Sequence, residues 1–179
     1  MAKPDNRLGV TRLPSLSRNT QNKGPEQGID GHKRVKGRKR HIVVDILGMV
    51  LNCFVSAANI ADIKAAVVVL EPLLEAYVRL EKVLADQAYK GKLGEVVEPV
   101  YHCVLEVTTK LGEGFVPAPY RWVVERTLSW LDKARRLCRD HEVLPENHEG
   151  AVYVVMIRLM LRRLTDNRRR WTSKAPQGA

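Results

Sequence analysis

A mixed α/β sheet with helices on its faces is the fold class this sequence predicts. Two β-branched apolar runs separated by a glycine turn read as an antiparallel hairpin. Shorter apolar runs then alternate with segments whose apolar residues recur at helical spacing. Strands that begin antiparallel and continue interleaved with helices imply a mixed sheet covered on its faces. The 179 residues suffice for one domain, and the core must be aliphatic, because 45% of residues are hydrophobic and only 6% aromatic.

The elements follow in order. Residues 1–31 scatter Pro, Gly, Asn, Gln and Ser without period, so they read as a disordered or degraded arm. A basic run, His32 to His41, leads into Ile42-Val43-Val44, and Gly48 marks the turn of a hairpin over 39–46 and 49–56. Asn59 or Asp62 caps a helix from Ile63 to about Tyr77, whose apolar side carries Ala66, Val69, Leu70, Leu73, Leu74 and Tyr77; Pro72 within it suggests a kink. Residues 82–86 form a short buried strand ending at Asp86, 91–98 a short helix, and 103–109 another strand. A Gly/Pro-rich loop over 112–119 precedes a helix from Tyr120 to Cys138, and Pro145 separates it from a last helix, Glu146 to Leu164. The expected organisation is an arm (1–31), one core (32–164) and a basic flexible tail (165–179).

Composition narrows the function. A formal net charge of +10 points to a polyanionic partner. Cys53, Cys103 and Cys138 include no CxxC pair, which argues against a zinc site or disulfide framework and fits a reducing cytoplasm. Residues 1–20 lack the apolar stretch of a signal peptide, and no run of roughly 18 apolar residues exists to span a membrane. Phosphate-binding and dinucleotide-binding glycine patterns, the GxSxG elbow and HExxH are absent, and no small-molecule substrate is implied.

Two carboxylates stand out. Asp86 closes a buried strand, at the edge of an α/β sheet where ligands bind and where a carboxylate is suited to a divalent metal; capping of the following helix is an equal reading. Glu125 lies close to the apolar stripe of its helix, four residues from Arg121 and from Ser129, where an acid is costly unless paired or metal-bound. An ion pair with Arg121 or Arg126 is its plainer explanation. Lys33, Arg34, Lys36, Arg38, Lys39 and Arg40 form a dense set of charges able to follow a phosphate backbone, or else the solvated flank of an edge strand. Arg135, Arg136, Arg139, Arg158, Arg162, Arg163, Arg168, Arg169 and Arg170 add basic surface. Trp122 and Trp130 on one helix read first as packing residues.

Three segments in this order, GIDGHKRVKGRKRHIVVDILGMVL, LADQAYKG and YRWVVERTLSWLDKARRLCRDHE, resemble the bacterial DDE insertion-sequence transposases, whose catalytic core is ribonuclease H-like. The resemblance covers about residues 24–164. It implies a ribonuclease H-like fold and metal-dependent cleavage and transfer of DNA strands in transposition, with Mg2+ or Mn2+ held by three carboxylates. Asp86 matches the second of these acids and Glu125 the third. Arg121 and Arg126 would contact DNA or orient Glu125, and with Arg135 and Arg136 they join Lys33, Arg34, Lys36, Arg38, Lys39 and Arg40 as expected DNA contacts. The implied partners are DNA at the element ends and target, with a homo-oligomer compatible, and the implied location is the bacterial cytoplasm, at the nucleoid.

The chain departs from the pattern at its start. The stretch matching the family's first Asp reads Pro14-Ser15-Leu16-Ser17, so Pro14 stands at the acid's position, and Ala88 replaces the usual glycine after Asp86. The strand leading to Pro14 is poorly apolar, and the family's N-terminal DNA-recognition region is not seen ahead of it. The chain therefore reads as N-terminally incomplete, with its first strand missing or degraded and its stability marginal. Asp5, Asp30 and Asp45 are the other acids that could replace the missing one. The alternative to an active core is a catalytically inactive remnant that binds DNA.

Overall fold

A computed structural model describes residues 11–13, 15–20, 24–31, 33–85, 89, 92–107 and 121–165. Its sheet is built around one long strand, β4 (Val35–Val44), because every other N-terminal strand pairs with it. On one edge β4 takes β1 (Thr11–Leu13) and β2 (Ser15–Asn19) end to end. On the other it takes β3 (Gly28–Asp30) and β5 (Val50–Ala57). All four pairings are antiparallel. The sheet then continues in parallel through β6 (Lys82–Ala85) to β7 (Val104–Val107). The expected mixed sheet is present.

The arm expected over 1–31 is corrected for the part described: it holds three strands. The first strand is present but short, and it is interior, flanked by β4 and β6. Reading side chains undervalued it, because a strand with a ladder on both edges is held by its backbone N–H and C=O groups whatever its apolar content. β1 and β2 also keep one register against β4, Arg12 opposite Val44 and Ser15 opposite His41. No residue is gained or lost between them.

Ile42-Val43-Val44 is apolar throughout because β4 is buried on both faces. Val43 enters a cluster with Val69, Leu70, Leu73, Val83, Leu93 and Leu105, under α1 (Asp62–Ala76) and α2 (Lys92–Tyr101). Ile42 and Val44 enter the opposite cluster with Val55, Val123, Leu131, Val152 and Met156, under α3 (Arg121–Asp132) and α4 (Pro145–Thr165). The period-two alternation of one strand thus fixes which helices cover which face.

Several boundaries move. The residue capping α1 is Ala61, with no side-chain hydrogen bond, and Asp62 sits in the first turn, so neither Asn59 nor Asp62 is the cap. Pro72 stays within α1 on its exposed side. α3 ends at Asp132 instead of continuing to Cys138, and turns occupy 133–139. The 112–119 loop, Asp5, Pro14, His32, Asp86, Ala88 and residues 166–179 lie outside the described residues. No helix among the described residues is long and apolar enough to cross a membrane.

Candidate functional site

The ends of two parallel strands frame the candidate site. Leu13 of β1 is in register with Ala85 of β6, and the next residues in the chain are Pro14 and Asp86. The carboxyl edge of parallel strands is where open α/β sheets bind ligands.

Glu125 is exposed on α3, whose inward side presents Val123, Val124, Thr127 and Leu131. Two contacts fix this helix against the β4–β5 turn. The Thr127 hydroxyl donates to the Gly48 carbonyl at 2.8 Å, and Arg126 Nη2 donates to the Leu47 carbonyl at 2.8 Å. The turn is itself braced by Asp45, whose Oδ1 accepts from the backbone N–H of Leu47 and Met49 at 2.9 and 2.7 Å. Gly48 has φ +81°, and a Cβ there would lie 2.6 Å from the Thr127 hydroxyl oxygen, so glycine is needed for both conformation and space.

The expected basic stripe divides. Lys33 and Arg34 lie exposed in the β3–β4 turn and Lys36 is exposed on β4. Arg38, Lys39 and Arg40 do not extend that surface, which corrects the expectation of one phosphate-tracking run. Arg38 is 1% exposed; its guanidinium pairs with Asp140 at 3.2 Å and donates to the carbonyls of Pro25, Glu142 and Val143. Lys39 pairs with Asp62 at 3.1 Å and Arg40 with Asp132 at 3.5 Å. The physical reason is that β4 is central and not an edge strand, so its charged side chains meet covering elements instead of water.

Arg126 lies over the rings of Trp122 and Trp130, 4.4 and 4.8 Å from their centroids. Arg135 is exposed, while Arg136 is bound to Glu142, Nε to Oε1 at 2.5 Å. That hydrogen bond, with the guanidinium's charge, pulls the Glu142 carboxyl below its usual range and raises Arg136. The side chain of Arg121 lies outside the described residues.

Sequence reading missed the buried network around Asp140. Its carboxylate meets Arg38, His148 Nδ1 at 2.9 Å, the Thr20 hydroxyl at 3.1 Å and the Glu142 N–H at 3.1 Å. Burial pushes this carboxyl up, and the His148 bond, the Glu142 N–H and the Arg38 charge outweigh it, so the net shift is downward. Nothing in the local sequence pairs positions 38, 140 and 148.

Asp86 lies outside the described residues, so the fit of a metal is judged from the residues around it. Proline at position 14 supplies no side-chain oxygen, and no group of three His, Cys, Asp or Glu among the described residues could hold a metal ion. Asp45 is committed to its turn. Asp30 is bound to the Ser17 hydroxyl and to the Lys33 N–H.

The chain matches the family model described as transposase DDE domain over residues 11–160. It is 33% identical over 131 residues to a putative transposase for insertion sequence element IS402 of Burkholderia cepacia, which covers 63% of this chain and 58% of that protein. The chain thus spans somewhat over half the length of that curated relative. Its fold is similar to the catalytic core domain of BIV integrase, with a TM-score of 0.55, 13% identity and coverage of 84% of this chain and 82% of that one. It is also similar to a chain of the simian T-cell lymphotropic virus intasome solved with PP2A regulatory subunit B56 gamma (TM-score 0.56, 14% identity, 84% and 47% coverage). At such identities these two structures speak to the fold, which is ribonuclease H-like.

Proposed function

The chain belongs to the transposase DDE domain family, and from that premise we propose that it is the core domain of an insertion-sequence transposase that engages DNA but is one carboxylate short of cutting it. The observation that carries this reading is the parallel register of Leu13 with Ala85. The acids at positions 14 and 86 of such a core would sit at adjoining strand ends, and here the first is proline. Divalent metal chemistry, with Mg2+ or Mn2+, belongs to the family. Asp86 and Glu125 remain as its second and third acids, but two carboxylates do not complete the clamp around attacking and leaving oxygens. No cleavage step is assigned to this chain as it stands.

Engagement of DNA rests on the exposed cations. Lys33 and Arg34 of the β3–β4 turn, Lys36 at the start of β4 and Arg135 in the segment after α3 are exposed, free of the burial that occupies Arg38, Lys39 and Arg40. Such charges bind phosphates without reading sequence, so affinity falls steeply with salt. The element ends and the target are the DNA partners of this reading, a homo-oligomer is compatible with it, and the bacterial nucleoid in the cytoplasm is where it places the work.

The test is to incubate the full chain with DNA carrying the terminal sequences that flank its own gene, with Mg2+ and with Mn2+. Salt-sensitive binding without nicking is expected. Nicking by the unaltered chain overturns the one-acid deficit, and no binding at low salt overturns the DNA reading.

A further inference from the structure

Helices α3 and α4 leave between them a groove of about 630 Å³, lined by Trp130, Lys133, Arg158, Leu159, Arg162 and Arg163 among others. Its sequence origin is simple. Arg158 and Arg162 stand four residues apart, one turn along α4, and share a side of that helix with Val155 and Leu159, while Lys133 follows the end of α3. The lining holds four cations and no acid. Among the described residues, Lys133, Arg158 and Arg162 have no carboxylate partner. This distinguishes them from Arg38, Arg40 and Arg136, whose charges are paired inside the protein.

Like charges at i and i+4 repel along a helix, so Arg158 and Arg162 weaken α4 unless an anion lies between them. The helix macrodipole favours cations in the last turn, which accounts for the sign of Arg162 and Arg163. It does not account for Arg158, further back on α4, nor for Lys133, which comes from another element. Arg163 is held over the Trp130 ring at 4.5 Å, and Arg126 meets the same ring at 4.8 Å. The indole therefore orients guanidiniums and is not a bare face for stacking a base.

We propose that the α3–α4 groove holds the phosphate backbone of a DNA duplex, as a contact surface separate from the Lys33–Lys36 turn. The proposal rests on the DNA reading above. Unpaired cations from two elements, converging without an acid, suit a phosphate chain, and arginine forks suit phosphate oxygens in particular.

The experiment titrates a fluorescent duplex of mixed sequence with the full chain over a range of salt. Arg158→Ala with Arg162→Ala makes the log–log salt slope shallower by about 2, since each phosphate contact contributes roughly 0.9. Arg158→Lys with Arg162→Lys keeps most of the slope. In the unaltered chain, bound duplex protects Lys133 from acetylation, a readout independent of how the variants fold. Unchanged slope in the alanine variant, or unprotected Lys133, overturns the groove while leaving the DNA reading intact. Absence of any duplex binding by the unaltered chain overturns that reading itself. Tighter binding of single-stranded RNA than of duplex, through the same arginines, overturns the duplex as occupant.

Discussion

Arg38 of β4 and Asp140, 102 residues later, form an ion pair of 3.2 Å in which both side chains are 1% exposed. The pair ties the central strand to the segment between α3 and α4. A guanidinium inside a run of six basic residues is thus spent on the fold.

Replacing Asp140 by Ala leaves Arg38 buried without its charge partner and His148 without its acceptor. Breaking one side of a buried pair costs about 3–5 kcal/mol. Urea unfolding of Asp140→Ala should show a loss of that order. A loss within the range of an exposed pair, ~0.5 kcal/mol, would mean the network is solvated.

How much was legible in the sequence follows from such residues. The hairpin, α1, β6 and α4 could be read because their apolar residues carry a period that burial imposes. β1 could not, because its support is two backbone ladders. Arg38, Lys39 and Arg40 were misread because a charge run looks alike on an edge strand and a central one, and only the pairing of β4 on both edges separates them. Of the site, Asp86 and Glu125 were singled out by their places on a strand end and a helix and given roles by family likeness, while the α3–α4 groove joins residues of two helices that no local pattern connects.

His41 is fully buried on β4, its Nε2 3.0 Å from the Ser56 hydroxyl, with Asp62 and Lys39 its charged neighbours. Burial pushes its imidazole down to about 4. The unfolded chain binds this proton near pH 6.5 and the folded chain refuses it. Stability is therefore full above pH 6.5 and falls as pH drops toward 4, by about 3 kcal/mol at the limit. Glu149, raised by burial, acts in the opposite sense as pH climbs through its range. Asp140 and Glu142, both lowered, add losses below the usual carboxylate range. Comparing His41→Gln with the unaltered chain isolates the histidine: the variant, with no imidazole to protonate, should gain stability relative to the unaltered chain as pH falls from 6.5 to 4. A difference that does not change with pH would show that His41 accepts the proton when folded.

Gly48→Ala places a methyl against the Thr127 hydroxyl at a φ of +81°. The cost is roughly 2 kcal/mol, seen as a lower unfolding midpoint. Because the Thr127 bond to Gly48 seats α3, amide exchange should also rise along the helix that carries Glu125. Unchanged exchange in α3 would show that the turn does not hold that helix.

The parallel register of Leu13 with Ala85 makes the central claim testable by one substitution. The measurement is nicking of DNA carrying the element's ends, in Mn2+, by the unaltered chain and by Pro14→Asp. The unaltered chain should leave the DNA intact, and Pro14→Asp should nick it, with the activity lost again when Asp86→Asn or Glu125→Gln is added. Nicking by the unaltered chain at the rate of Pro14→Asp would contradict the account, because position 14 would then not be where the family's first carboxylate is missing.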